Sequence, residues 1–229
     1  MGTITAATII NRAATQLLDS GNTRWTRAEL LQWLNDGQRQ IVQIKPTNNN
    51  KVASLTLVAG TRQSIPADGW MLLGVTRNMG MNGITPGPAV RLASREIMDS
   101  LNPNWHTDPA DAVVQNFIYD LSDQTAFYIY PPSPGGNTVE INYSQVPADL
   151  PNENTAIALS DILQTTLLDY IMFRANSKDA EYAPGLELAK AYWATFSGAI
   201  SAKDSAEKEV NPNQRFGPFD EADRGGAGI

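Results

Sequence analysis

The sequence contains no cysteine and a single histidine, His106. The first absence excludes disulfides, thiolate metal sites and thiol nucleophiles. The second excludes a metal cluster built on imidazoles and makes any Ser-His-Asp triad depend on one residue. His106 stands in Asn104-Trp105-His106-Thr107-Asp108, with Pro103 and Pro109 on either side, a loop context that points to packing rather than catalysis. Charge is also scarce, at 18% of residues, whereas the apolar share of 42% is ordinary for a globular protein. Asn, Gln, Ser and Thr fill the gap. Neutral polar groups cost less to desolvate than charges, so such a surface suits a subunit covered by neighbours. No apolar run approaches the ~20 residues that span a bilayer. The start, Met1-Gly2-Thr3-Ile4-Thr5-Ala6, carries neither the features of a secretory leader nor the Ser or Thr of a myristoylation signal. The expectation is a soluble protein without a membrane partner.

A basic face is missing too. The net charge is −7, and it divides into +2 over residues 1–46, −5 over 47–154, −2 over 155–202 and −2 over 203–229. No segment offers the positive surface that phosphate neutralisation requires, so sequence-reading nucleic-acid binding is not expected.

What is present is a change of period. Ile10, Ala13, Ala14, Leu17 and Leu18 recur at helical spacing, and Gly21 supplies a left-handed stop. Thr26 with Glu29 forms a capping box for a second helix, whose stripe is Leu30, Leu34, Ile41 and Ile44 and whose end is Lys45-Pro46. Two adjacent helices predict an antiparallel hairpin. From Lys51 to Tyr143 the period is two. Strands are predicted around Leu55 and Leu57, then over 70–79, 89–93, 113–120, 125–130 and 138–143. Leu121-Ser122-Asp123-Gln124 is a hairpin loop, Pro131 to Gly136 a hard break, and 94–101 a short helical turn. Helical period returns after Ser160, and Pro184-Gly185 starts a last helix with Ala189, Trp193, Phe196 and Ile200 on one face. The predicted class is α+β: residues 1–46 and 155–202 as a four-helix bundle, 47–154 as an antiparallel β-sandwich or barrel insert, and 203–229 as an extended C-terminal tail.

The search for chemistry finds turn residues instead. Asp108 with Asp111, and Asp120 with Asp123, are paired carboxylates of the sort a glycosidase uses, but Asp is also the residue that bonds its own backbone in turns. The latter pair lacks calcium-loop spacing and a closing Glu. Gly135-Gly136-Asn137 is followed by no Lys-Ser/Thr pair, and Asn142-Tyr143-Ser144 is a glycosylation sequon within a strand. Tyr128, Tyr130 and Tyr143 can stack on sugars or pair across strands. No catalytic, metal or cofactor residue is assigned, and no cofactor is expected. In the tail, Phe216 and Phe219 flank Gly217-Pro218 and have no core of their own to enter; with Arg215 and Asp220 as a polar rim they are the candidate partner anchors.

The ordered series Arg24-Trp25-Thr26, Glu29-Leu30-Leu31, Leu34-Asn35, Gly60 to Gly69, Pro103-Asn104-Trp105, Tyr119-Asp120, Phe127 to Pro132 and Val139 to Ser144 resembles the head-to-tail adaptor family of tailed bacteriophages, of the kind found in short-tailed phages. The resemblance runs from about Arg24 to Ile200 and leaves the tail unmatched. It implies a non-enzymatic virion protein of the neck, assembled in the host bacterial cytoplasm. It also implies a ring of twelve copies under the portal protein, docking tail nozzle or fibre proteins and passing DNA without reading it. Two competing readings remain: a carbohydrate-binding or depolymerising tail component, carried by the Asp pairs and tyrosines, and a tail-tube or baseplate protein.

Overall fold

The structure, a computed structural model, describes residues 2–80, 82–120, 122–178 and 183–210. It divides into two compact units, one of residues 1–3, 38–151 and 156–161, the other of 4–37, 152–155 and 162 onward. Among the described residues there are five helices and two four-stranded sheets, so the class is α+β.

In the helical unit, α1 (Ala6–Gln16) buries Ile9, Ile10, Ala13 and Ala14. It stops at Leu17, and Leu18 rather than the expected Gly21 takes the left-handed conformation, with φ 55°. The carboxylate of Asp19 explains why: it accepts the backbone N–H groups of Thr23 at 2.9 Å, Arg24 at 2.9 Å and Trp25 at 3.0 Å, which fixes the loop further along. Helix α2 (Arg27–Ile44), which belongs to this unit up to Gly37 and to the other from Gln38, begins where the capping residue predicts, with the Glu29 N–H donating to Thr26 Oγ1 at 3.3 Å. The Glu29 carboxylate turns instead to Lys178 Nζ, at 2.8 Å. After the described 3-10 turn Asp161–Leu163 come α4 (Gln164–Lys178) and α5 (Ala183–Val210); the short α3 (Arg95–Leu101) belongs to the other unit. The loop of residues 17–26 lets α1 pack along α4 rather than in a tight hairpin with α2, and α4 packs along α5. Gly37 brings α2 close to α4, since a Cβ there would lie 3.0 Å from the Tyr170 ring. Ala189, Phe196 and Ile200 are buried as expected, but Trp193 is 37% exposed at the edge of the stripe, against Phe173 and Phe196. Helix α5 reaches Val210, past Lys203, because Ala, Lys and Glu in that stretch are good helix formers.

The other unit holds the strands. One sheet has the order β1 (Asn50–Thr56), β8 (Thr138–Gln145), β3 (Gly69–Met79), β4 (Pro86–Ala89), all antiparallel. The second has the order β2 (Gly60–Ser64), β7 (Ala126–Ser133), β6 (Asn116–Tyr119), β5 (Arg91–Leu92), with β5 parallel to β6. Leu72, Val75, Val139, Ile141 and Tyr143 of the first sheet and Phe117, Phe127 and Ile129 of the second share one core. Each such side chain contributes about 1.5–3 kcal/mol on burial. Among the described residues no strand pairing closes a barrel. The predicted strand 89–93 is two strands in different sheets: the Val90 N–H bonds Thr76 O, and the next N–H, of Arg91, bonds Gln115 O, so the chain changes sheets at buried Val90. The hard break at Pro131 is also displaced, because β7 runs through both prolines to Ser133.

Candidate functional site

The residue-level anchors Arg215, Phe216, Phe219 and Asp220 lie outside the described residues. The segments that carried the resemblance are described: those from Arg24 to Asn35 belong to the helical unit, and those from Gly60 to Ser144 to the sandwich.

On the outside of the β2-β7-β6-β5 sheet, Tyr128 and Tyr130 alternate with core residues Phe127 and Ile129 and so face outward. The loop after α3 lies across them. Trp105 is 1% exposed, with its ring edge-on to Tyr128 at 6.1 Å and Tyr130 at 6.5 Å. Its Nε1–H donates to Asp99 Oδ1 at 2.8 Å. His106 stacks on Trp105 at 3.6 Å, and its Nδ1 is 2.8 Å from Thr61 Oγ1, which ties the loop to β2. Asp108 accepts from the Tyr130 hydroxyl at 3.1 Å and from Asn102 Nδ2 at 2.7 Å. The paired aspartates hold their own turns: Asp111 accepts the Val113 N–H, Asp120 the Ser122 N–H and hydroxyl, and Asp123 binds Arg62 and Thr125. Hydrogen bonds from Ser122 lower the carboxyl of Asp120, and one from Arg62 lowers that of Asp123. These carboxylates are turn residues, and a tryptophan and a histidine pack against the tyrosines.

At the end of the other sheet, the turn Pro66 to Gly69 is fastened by Asp68. Its carboxylate accepts from Lys51 Nζ at 2.9 Å, the Tyr143 hydroxyl at 2.9 Å and Gln145 Nε2 at 2.8 Å. The Lys51 hydrogen bond holds the Asp68 carboxyl below its usual range, while burial pushes the Tyr143 hydroxyl up. Tyr143 is 1% exposed, so its ring is core and its hydroxyl a strut.

Two features escaped the sequence. A groove of about 300 Å³ runs between the last turns of α2 and the sheet, lined by Arg39, Val42, Gln43, Trp70, Val146 and Pro147. The Trp70 Nε1–H donates to Ser144 Oγ, which in turn donates to Pro46 O, so the ring is fixed as the groove's wall. Its lining residues are too far apart in the chain for periodicity to reveal. The second is the apolar outward face of α3, which a seven-residue helix is too short to announce. Among the described residues no three His, Cys, Asp or Glu side chains form a metal-binding group, and no helix is long and apolar enough to cross a membrane.

Comparison with protein families matches the chain to the family described as SU10 adaptor protein, over residues 4–216. No curated protein matches the chain.

Proposed function

The chain belongs to the SU10 adaptor protein family, a phage adaptor family, and from that premise we propose that it joins the portal to the tail as a ring of twelve copies in the virion neck. The observation that carries this reading is the length of the match, residues 4–216, which takes in both compact units rather than one shared module. The portal is the partner above, and tail nozzle or fibre proteins are the partners below. DNA passes through without sequence recognition, and an acidic strand region suits that task, because every Lys or Arg contact with phosphate would retard the passage. The helical unit serves as the four-helix bundle of the ring, formed by α1, α2, α4 and α5, and assembly takes place in the host cytoplasm. The tail residues Arg215, Phe216, Phe219 and Asp220 fasten the copy to the portal or to its neighbour.

Purified portal mixed with the full chain tests the reading. Native mass spectrometry should give a closed complex of fixed copy number, and negative-stain images should show rings. A one-to-one complex at saturating chain would exclude the ring. Deleting residues 211–229 should leave the melting temperature in place and weaken portal attachment, and Phe216→Ala with Phe219→Ala should reproduce most of that loss. Retention of full portal affinity by the truncated chain would remove the tail from the attachment.

A further inference from the structure

Between α2 and the last turns of α4, the helical unit has a hollow of about 370 Å³ lined by Glu29, Trp33, Phe173, Arg174, Ser177 and Lys178. Two aromatic rings wall it. Trp33 is buried, and half-buried Phe173 also meets Trp193 of α5 at 5.1 Å. The charges around the hollow do not cancel. Lys178 bonds Glu29 at 2.8 Å across one side, whereas Arg174, beside the Tyr170 hydroxyl, makes no ion pair among the described residues. Aromatic walls with a spare guanidinium fit a ring followed by a carboxylate, since rings pack edge-on or offset and Arg takes a carboxylate with two parallel bonds.

The chain carries such a segment beyond the described residues. In Phe216-Gly217-Pro218-Phe219-Asp220-Glu221-Ala222-Asp223, two aromatics lead into three carboxylates, with no Lys or Arg among them. Where α5 ends decides whose hollow the segment can enter. Tyr170 meets Phe196 and Phe173 meets Trp193, so α5 runs back along α4 and Arg174 is level with Tyr192. From that level to the end of the helix at Val210 is about 27 Å. Phe216 can return at most about 21 Å, and Phe219 about 32 Å only with the chain drawn straight. The Gly217-Pro218 turn signal removes that slack. Helix α5 therefore carries the segment away from the hollow of its own copy.

We propose that residues 216–223 of one copy dock in the hollow between α2 and α4 of the next, with Phe219 against Trp33 and Phe173 and a following carboxylate on Arg174. The proposal rests on the ring reading above and makes the neighbour, not the portal, the receiver of the tail. An arm that leaves one copy and enters a different surface on the next is a heterologous contact, which must close into a ring or run on as a filament.

The absence of cysteine makes the test clean. Two single variants of the full chain, Ser177→Cys at the rim of the hollow and Ala222→Cys in the segment, are mixed under mild oxidation, with portal added in a parallel arm. The mixture should give one mixed covalent dimer, and the double variant a ladder of covalent multimers with a fixed upper limit. Arg174→Glu should weaken self-association about tenfold with an unchanged melting temperature, and Asp220→Lys with Glu221→Lys in the same chain should recover it. Phe219→Ala should lower the cross-link yield to a similar extent, and it keeps the test readable if Arg174→Glu disturbs α4. A double variant that closes only an internal disulfide would return the segment to its own copy and overturn the proposal. Cross-linking of Ala222→Cys to portal cysteines, with none to Ser177→Cys, would give the tail to the portal and overturn it too. Rings seen by native mass spectrometry without the cross-link would leave the ring standing and place its fastening elsewhere. A chain that stays monomeric with and without portal would overturn both readings.

Discussion

The sandwich and the helical unit are held together by different means. In the helical unit, cohesion is apolar and repetitive: Ile9, Ile10 and Ala13 on α1, Leu167, Leu168 and Ile171 on α4, and Phe196 and Ile200 on α5 are all buried. Its polar fastenings are few and sit at helix ends, such as Arg27 to Glu153 and Lys178 to Glu29. The sandwich has an equally apolar core, but what shapes its surface is a set of polar struts joining residues far apart in sequence. Asp68 binds Tyr143, Asn78 donates to Val114 O at 2.7 Å, and Trp105 reaches Asp99 while its ring covers β7. A helix face can therefore drift in composition without losing its shape, whereas each loop of the sandwich depends on one or two named atoms.

The largest effects should be alike in both units. Phe127→Ala and Phe196→Ala each remove a fully buried ring and should cost about 3–5 kcal/mol by denaturant titration. A much smaller loss at either would mean that its core collapses onto the gap. The two units part company at tryptophan. Trp105→Ala should cost about 3–5 kcal/mol, because the ring is buried and holds a whole loop. Trp193→Ala, at a half-exposed edge, should cost about 1–2 kcal/mol. Equal losses would erase the contrast.

Struts and packing also differ in their response to acid. Asp68→Asn should cost about 1–2 kcal/mol, since three donors lose a charged acceptor that is partly solvent-screened. Because the Lys51 ammonium holds the Asp68 carboxyl below the usual range, its contribution is complete above about pH 4 and is lost as pH falls through the lowered folded value. The acid limb of a stability–pH curve should therefore shrink in Asp68→Asn, and an unchanged limb would assign it to other carboxylates. Smallest is Thr26→Ala, at about 0.5 kcal/mol, because the single cap bond at 3.3 Å is long. A loss comparable to that of Trp105→Ala would show that the α2 cap, too, is a strut.

The same contrast decides what was legible in the sequence. The start of α2 at Arg27 and its end at Ile44, the burial of Ala189 and Ile200, and the strands around Leu72, Phe127 and Ile141 follow from local period and capping chemistry. Strand β2 was missed because its inward residues, Thr61 and Gln63, are polar; Gln63 is buried by bonding the backbone of Val58 and Gly60. The turn roles of Asp111 and Asp120 were readable, since each bonds a backbone N–H two residues on. The Trp105 loop and the α2 groove were not. Their partners are brought together by sheet order, which no window of sequence contains.

Sheet order also has a consequence in time. Strand β1 pairs only with β8, Asn50 opposite Ser144, so during synthesis it emerges about ninety residues before its neighbour exists. From Val52 to Leu57 the chain is uncharged and mostly apolar, the composition that recruits other nascent chains when an edge stays open. Long-range closure of this kind is slow, and the interval sets the window in which crowding on a polysome does harm. Yield from a fast, strongly induced expression system should therefore be limited at this strand, and a charge placed at exposed Val52 should raise the soluble fraction without altering the finished fold.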